Sequence, residues 1–234
     1  LSGSSSAFEA YEASFHQDLN GDGVIGVRSA LSFLSATSAI SISLATGAAG
    51  GGAQGANLAG VENVVGSSFD DTLIGDANGN VLDGGEGNDI LQGGGGNDTL
   101  IGGPGFDHYG FNRGGGQDHI INGVASNAGA SGELDFGSSI ARSQLWFERS
   151  NNDLSILILG TQDRVTIDGW YSSNTSQLSE IKLSDGSMID SQISQLVQAM
   201  ASYSAGNPAF NPVSASQTPN DPALQNTIAA AWHS

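Results

Sequence analysis

The sequence contains no cysteine, and only 6 Lys and Arg stand against 24 Asp and Glu in its 234 residues, for a formal net charge of −18. Zero cysteine excludes disulfide staples, thioether-linked haem and thiolate metal sites, so a chain working outside the cell needs another stabilising device. The shortage of basic residues argues against nucleic acid or an anionic membrane surface as the main partner, because phosphate binding needs clustered Lys and Arg. No apolar run approaches the roughly 20 residues that cross a bilayer, so no membrane span is expected. The opening residues LSGSSSAFEAYEASF lack a basic signal-peptide start and an initiator Met, and read as part of a soluble segment of a longer chain. His16, His108, His119 and His233 form no HxxxH or HExxH pattern, and neither GxSxG nor GxxxxGK occurs. The sequence therefore points away from an enzyme. Cations are the expected ligands, and metal ions the candidate stabiliser.

What the chain has in excess is glycine, 35 residues of it, and the glycines are periodic. From Gly66 to Gly110 the sequence falls into nines: GSSFDDTLI, GDANGNVLD, GGEGNDILQ, GGGGNDTLI and GGPGFDHYG. A looser copy, RGGGQDHII, follows Phe111 and Asn112. Sixth positions hold Asp71, Asn80, Asp89, Asp98 and Asp107, and Asp118 repeats the role after a two-residue slip; eighth positions hold Leu73, Leu82, Leu91, Leu100 and Tyr109. The physical reading is a coil in which six residues turn and three form a short strand, so that two repeats complete one circuit. Eighth-position side chains then point inward and stack, and glycine supplies the positive φ of the tight turns. Sixth-position carboxylates of alternate repeats would lie roughly 4.8 Å apart. Two bare charges at that distance repel by about 3 kcal/mol at an effective dielectric near 20, so the stack calls for cations. A disordered acidic linker would not keep an aliphatic or aromatic residue in phase at every ninth position.

These nonapeptides resemble those of the repeats-in-toxin (RTX) family of secreted bacterial proteins. The resemblance implies an all-β fold: a calcium-loaded parallel β-roll, here continued by an antiparallel sheet with short helices at the two ends. It also implies that each ion sits between a turn and the turn two repeats later, held by backbone carbonyls and sixth-position side chains. Carried onto this chain, the first ion would use Ser67, Phe69, Asp71, Gly84, Glu86 and Asp89. The second would use Asp76, Asn78, Asn80, Gly93, Gly95 and Asp98, with Asn80 standing where the family has Asp. The third would use Gly85, Gly87, Asp89, Gly102, Pro104 and Asp107, in a turn that also holds Gly103 and Gly105. The fourth would use Gly94, Gly96, Asp98, Arg113, Gly115 and Asp118, across the slip. Hard oxygen ligands in a flexible cage suit Ca²⁺ better than Mg²⁺, which demands a tighter octahedron.

Near the N-terminus, Asp18, Asn20, Asp22, Gly23 and the Val24 carbonyl fall on positions one, three, five, six and seven of an EF-hand-type loop, after a short helix. Ser29 replaces the usual bidentate Glu at position twelve, so a single calcium loop is expected rather than a full EF-hand. Residues 1–30 are expected to form this helix and loop; residues 31–65, with alternating Ile40, Ile42 and Leu44 and then Val61 to Val65, are expected to be the N-terminal edge of the roll over 66–121.

Residues 122–189 change character, with glycine sparse and alternating segments SQLWFERS, DLSILIL, DRVTIDGWY and SEIKL, and are expected to form an antiparallel sheet. They resemble the region that follows the repeats in haemolysin-type calcium-binding proteins. In residues 190–234, Asp190 or Ser191 is expected to cap a helix with Ile193, Leu196, Val197 and Met200 on one face. A terminal helix follows, with Pro222 in its first turn and Leu224, Ile228 and Trp232 at helical spacing. Its place resembles the C-terminal signal of type I secretion, whose machinery is the partner the family implies, together with a secreted or cell-surface location. A second reading is a calcium-dependent carbohydrate- or surface-binding module of an adhesin, with Trp146, Trp170 and Tyr171 stacking on sugar rings if exposed.

Overall fold

A computed structural model describes residues 30–123 and 131–233; Asp18, Asn20, Asp22 and Val24 of the EF-hand-like loop lie outside the described residues. The strands are β1 (Ala30–Ser32), β2 (Ile40–Ser43), β3 (Ala48–Gly51), β4 (Asn63–Ser67), β5 (Thr72–Ile74), β6 (Val81–Gly85), β7 (Ile90–Gln92) and β8 (Thr99–Ile101). They continue with β9 (Phe106–Phe111), β10 (Gln117–Ile121), β11 (Ser131–Phe136), β12 (Leu145–Ser150), β13 (Asp153–Ile158), β14 (Arg164–Ile167), β15 (Glu180–Leu183) and β16 (Met188–Ile189). Two helices close the chain, α1 (Ile193–Gly206) and α2 (Pro222–Ala231).

The strands form two eight-stranded sheets, one ordered β1-β4-β6-β8-β10-β14-β13-β12 and the other β16-β15-β11-β9-β7-β5-β2-β3, and from β4 to β11 successive strands alternate between them. The nonapeptide period causes this alternation, because each three-residue strand is followed by a glycine-rich turn that carries the chain to the opposite sheet. Repeats of like parity therefore pair in parallel: Leu73 lies beside Leu91 and Leu91 beside Tyr109 in one sheet, and Leu82 beside Leu100 in the other. Two stacks result. Ile42, Leu73, Leu91, Tyr109, Leu134 and Ile181 run down one sheet. Val64, Leu82, Leu100, Ile120, Ile167 and Leu154 run down the other, and every member of both stacks is buried. Burying each such side chain stabilises the roll by about 1.5–3 kcal/mol. Tyr109 brings a polar atom into the stack and is satisfied there, its hydroxyl donating to Asn122 Oδ1 at 3.0 Å.

The N-terminal edge is built as the alternation of residues 40–44 suggests. Strand β2 adds in parallel to β5, and the β2–β3 hairpin folds antiparallel over the open side. The C-terminal sheet differs from the antiparallel expectation at its joints. Strands β12, β13 and β14 form an antiparallel meander, but β14 joins β10 in parallel, and β11 and β15 extend the other sheet in parallel. The roll's inward stack thus passes without a break into the second half, which protects strand edges that an open coil would expose.

Helix α1 buries Ile193, Leu196, Val197 and Met200, the face expected from their spacing. Its N-cap is Gln192, without a side-chain hydrogen bond, rather than Asp190 or Ser191. Asp190 is instead held by Ser191 Oγ at 2.8 Å and lies 3.3 Å from His233 Nε2. Helix α2 starts at Pro222, capped by Asp221, whose side chain accepts from the Leu224 amide. It docks through Leu224 and Ile228, with Trp232 buried just beyond it. The chain then pairs with β16 through reciprocal Met188 and His233 backbone hydrogen bonds.

Candidate metal centre

The turns that link the strands stack in two rows, one holding the turns of Asp71, Asp89 and Asp107 and the other those of Asn80, Asp98 and Asp118, and three features of them converge on a cation. The first is a ladder of sixth-position side chains in each row. Asp89 Oδ1 accepts the Asp71 amide N–H at 2.8 Å, Asp107 Oδ1 accepts the Asp89 amide at 3.0 Å, and Asp98 Oδ1 accepts the Asn80 amide at 2.7 Å, each across 18 residues. Asp118 Oδ1 accepts the Asp98 amide at 3.1 Å across 20 residues, so the ladder survives the two-residue slip. One oxygen of each carboxylate is thereby fixed by the neighbouring coil.

The second feature is what the other oxygen meets. Oδ2 of Asp89, of Asp98 and of Asp107 is buried without a hydrogen-bond partner. A buried, unpaired carboxylate oxygen is costly, by several kcal/mol for a charged group, unless a cation or proton satisfies it. Burial accordingly pushes the carboxyls upward, Asp89 to about 8, Asp98 to about 7 and Asp107 to about 6. The backbone hydrogen bonds oppose this, and neighbouring carboxylates add to it: Asp107 and Asp71 at Asp89, Asp76 at Asp98. Asp118 is raised to about 8 by burial and then by Asp98.

The third feature is the glycine cage. First-position glycines face these oxygens so closely that a β-carbon on Gly84 would lie 2.2 Å from Asp89 Oδ2, on Gly93 2.1 Å from Asp98 Oδ2, and on Gly102 2.2 Å from Asp107 Oδ2. Second and fourth positions, Gly85, Gly87, Gly94, Gly96, Gly103 and Gly105, all have positive φ. They lie against carbonyls of the coil before: Gly85 on Ser67, Gly87 on Phe69, Gly94 on Asp76, Gly96 on Asn78, Gly103 on Gly85 and Gly105 on Gly87. Backbone carbonyls and carboxylates are hard oxygen donors, and this is the donor set that Ca²⁺ takes in flexible cages.

The expected ligand groups differ in what they already hold. In the first, Asp71 has both oxygens engaged, Oδ1 by the Ile40 amide and Oδ2 by the Ser67 amide, with Ser67 Oγ bonded to both. The side chains of Phe69 and Glu86 face solvent. In the second, Asn80 Oδ1 accepts the Asp76 amide and Nδ2 donates to the Glu62 carbonyl, while the Asp76 carboxylate is taken by Asn78. The Asp76 carbonyl accepts from Gly95 N–H. In the third, Asp89 and Asp107 each contribute an unpaired oxygen, and the Pro104 carbonyl accepts from Gly87 N–H. In the fourth, the slip shows: Gly116 still stacks on the Gly96 carbonyl, but Gly114 meets nothing and Gly115 turns back on Asn112. The Arg113 side chain reaches Ser139 O instead, and the Asp163 carboxylate accepts from the Gly114 and Gly116 amides.

One feature was not read from the sequence. Fifth-position side chains form a second, outer ladder, with Asp70 accepting the Asn88 amide, Asn88 the Phe106 amide and Asn97 the Gln117 amide. The recurrence of Asp or Asn at those positions was the available signal. The aromatic residues considered for sugar stacking are not available for it: Trp146 is 2% and Trp170 5% exposed, Trp146 packing on Tyr203 and Phe210, and the half-buried Tyr171 is covered by the Arg149 guanidinium. No helix among the described residues is long and apolar enough to cross a membrane.

Residues 58–91 and 74–109 match the family model for the RTX calcium-binding nonapeptide repeat (4 copies). Residues 153–192, which span β13 to β16, match that of the haemolysin-type calcium binding protein related domain.

Proposed function

The chain belongs to the RTX calcium-binding repeat family, and from that premise we propose that it is a non-enzymatic module whose roll winds up when Ca²⁺ fills the stacked turns after type I export, capping and stabilising a larger secreted protein. The observation that carries this reading is the set of unpaired, buried oxygens, those of Asp89 and Asp107 in one row of turns and that of Asp98 in the other. Without cations these charges oppose winding; with them they become ligands, so binding and folding are one equilibrium. We assign the tightest site to the third group, because Asp89 and Asp107 both present an unpaired oxygen there. Asp71, already satisfied by Ser67 and Ile40, makes the first group weaker, and the displaced turn at Gly114 weakens the fourth. The net charge of −18 keeps the calcium-free chain extended by self-repulsion, the state that threads a channel. Helix α2 is assigned both to docking and to the export signal.

The test is a calcium titration of the chelated protein followed by far-UV circular dichroism. A cooperative gain of β signal, with a midpoint in the range of about 10⁻⁴ to 10⁻³ M typical of extracellular calcium modules, supports the proposal. A spectrum that does not change with calcium sinks it.

A further inference from the structure

We propose that His108, Glu133 and Asp135 form a separate site for one divalent transition-metal ion of the zinc or cobalt class, on the outer face of the sheet that contains β9 and β11. His108 and Glu133 are direct neighbours across the parallel β9–β11 pair, and Asp135 lies two residues along β11, which returns its side chain to the same face. His108 Nδ1 is 2.6 Å from Glu133 Oε1 and 3.8 Å from Asp135 Oδ2, and one ligand atom from each residue lies within 4.8 Å of the others.

The surroundings orient these groups. Lys182, opposite Asp135 on β15, pairs with Glu133 through Oε2 and with Glu180 at 3.0 Å, which leaves Glu133 Oε1 turned toward His108. Hydrogen-bonded partners of this kind fix the direction of a ligating carboxylate. Three carboxylates, Glu133, Asp135 and Glu180, face one ammonium, Lys182, and a neutral imidazole leaves two negative charges for a divalent cation to neutralise. The imidazole nitrogen sets the metal class: zinc and its neighbours accept nitrogen with carboxylate oxygen, whereas Ca²⁺ takes oxygen. Asp107 and Tyr109, on either side of His108, are buried on the inner side, so this site is chemically and spatially distinct from the calcium turns. No sequence spacing announces it, because β11, which supplies Glu133 and Asp135, lies outside the nonapeptide repeats and is brought beside β9 by the fold.

The experiment is a Co²⁺ titration of the whole chain in saturating Ca²⁺, which keeps the roll wound and the calcium turns filled. The expected result is a single equivalent of bound Co²⁺ with visible d–d absorption, displaced by Zn²⁺. Binding should weaken about tenfold or more in both His108→Gln and Asp135→Asn, with far-UV spectra unchanged because these side chains are 40% and 44% exposed. The inference is overturned if no d–d absorption develops, or if Co²⁺ binds the two variants as tightly as the parent chain, which would place the metal in the calcium turns. Its outcome is independent of the folding titration, since calcium is present throughout.

Discussion

Asp89 accepts the Asp71 amide N–H through Oδ1 at 2.8 Å and holds its other oxygen, buried and unpaired, 2.2 Å from where a β-carbon on Gly84 would stand. One carboxylate thus serves two tasks: it pins the register between successive coils, and it demands a cation. A substitution that keeps the first and removes the second separates them.

Asp89→Asn retains an acceptor for the Asp71 amide and loses the anionic ligand. Asp89 belongs to both the first and third ligand groups, so two calcium equivalents should weaken, each by at least about tenfold, the effect of some 1.4 kcal/mol. Asp107→Asn should weaken one, and Asp71→Asn should have the smallest effect, because both Asp71 oxygens are already engaged. Isothermal titration calorimetry of the three variants reads the order directly. A larger loss at Asp71 than at Asp89 would contradict the assignment.

Gly93→Ala places a methyl group 2.1 Å from Asp98 Oδ2, whereas at Gly95 the nearest atom is 3.5 Å away and φ is not positive. Gly93→Ala should therefore destabilise the calcium-loaded roll by about 1–3 kcal/mol. Gly95→Ala should be close to neutral, or stabilising by up to about 1 kcal/mol through the unfolded chain. Urea melts in excess calcium compare the two; equal midpoints would show that the cage is not as tight as the turns indicate.

The roll was legible in the sequence because its period is a folding instruction: nine residues give one strand and one turn, and Leu73, Leu82 and Leu91 fix which side is inward. Outside the period the reading failed where tertiary pairing decides. Strand β11 carries no repeat, yet Leu134 continues the stack beside Tyr109, and β14 joins β10 in parallel although its own hairpins are antiparallel. Asp190 has good capping chemistry but is drawn to His233, a contact set by the return of the C-terminus to β16. Trp146 and Trp170 stand in alternating segments, which favour the core, and the packing of α1 and Phe210 over the sheet places Trp146 there.

The raised carboxyls give a pH dependence with a definite sign. In the calcium-free roll Asp89, Asp98, Asp107 and Asp118 sit at about 8, 7, 6 and 8, above the ordinary 3.8. A group raised in the folded state stabilises it fully below the unfolded value, and that contribution is lost as pH rises through the folded value. With chelator present, β structure should therefore increase as pH falls from about 8 toward about 5, protons standing in for calcium. Calcium affinity should fall over the same range. Circular dichroism against pH, with and without chelator, checks both, and a chelated roll that gains structure as pH rises would reverse the sign.

Leu91→Ala empties one rung of the fully buried stack and should cost about 2–5 kcal/mol in excess calcium. Ile90, next in sequence but 49% exposed on the outer face, should tolerate Ala within about 1 kcal/mol. Chemical denaturation of the pair measures how strongly the coil's inside and outside differ, and similar losses would argue against the inward phase of the eighth position.

Small-angle scattering of the chain, in calcium and after exhaustive chelation at neutral pH, tests the dependence of winding on cations most directly. With calcium the radius of gyration should be near about 17 Å, the value for a compact domain of this length, and on chelation it should rise substantially toward the roughly 50 Å of an unfolded chain. A chelated protein that keeps the compact radius and still melts cooperatively would show that the stacked carboxylates need no metal, and would contradict the account.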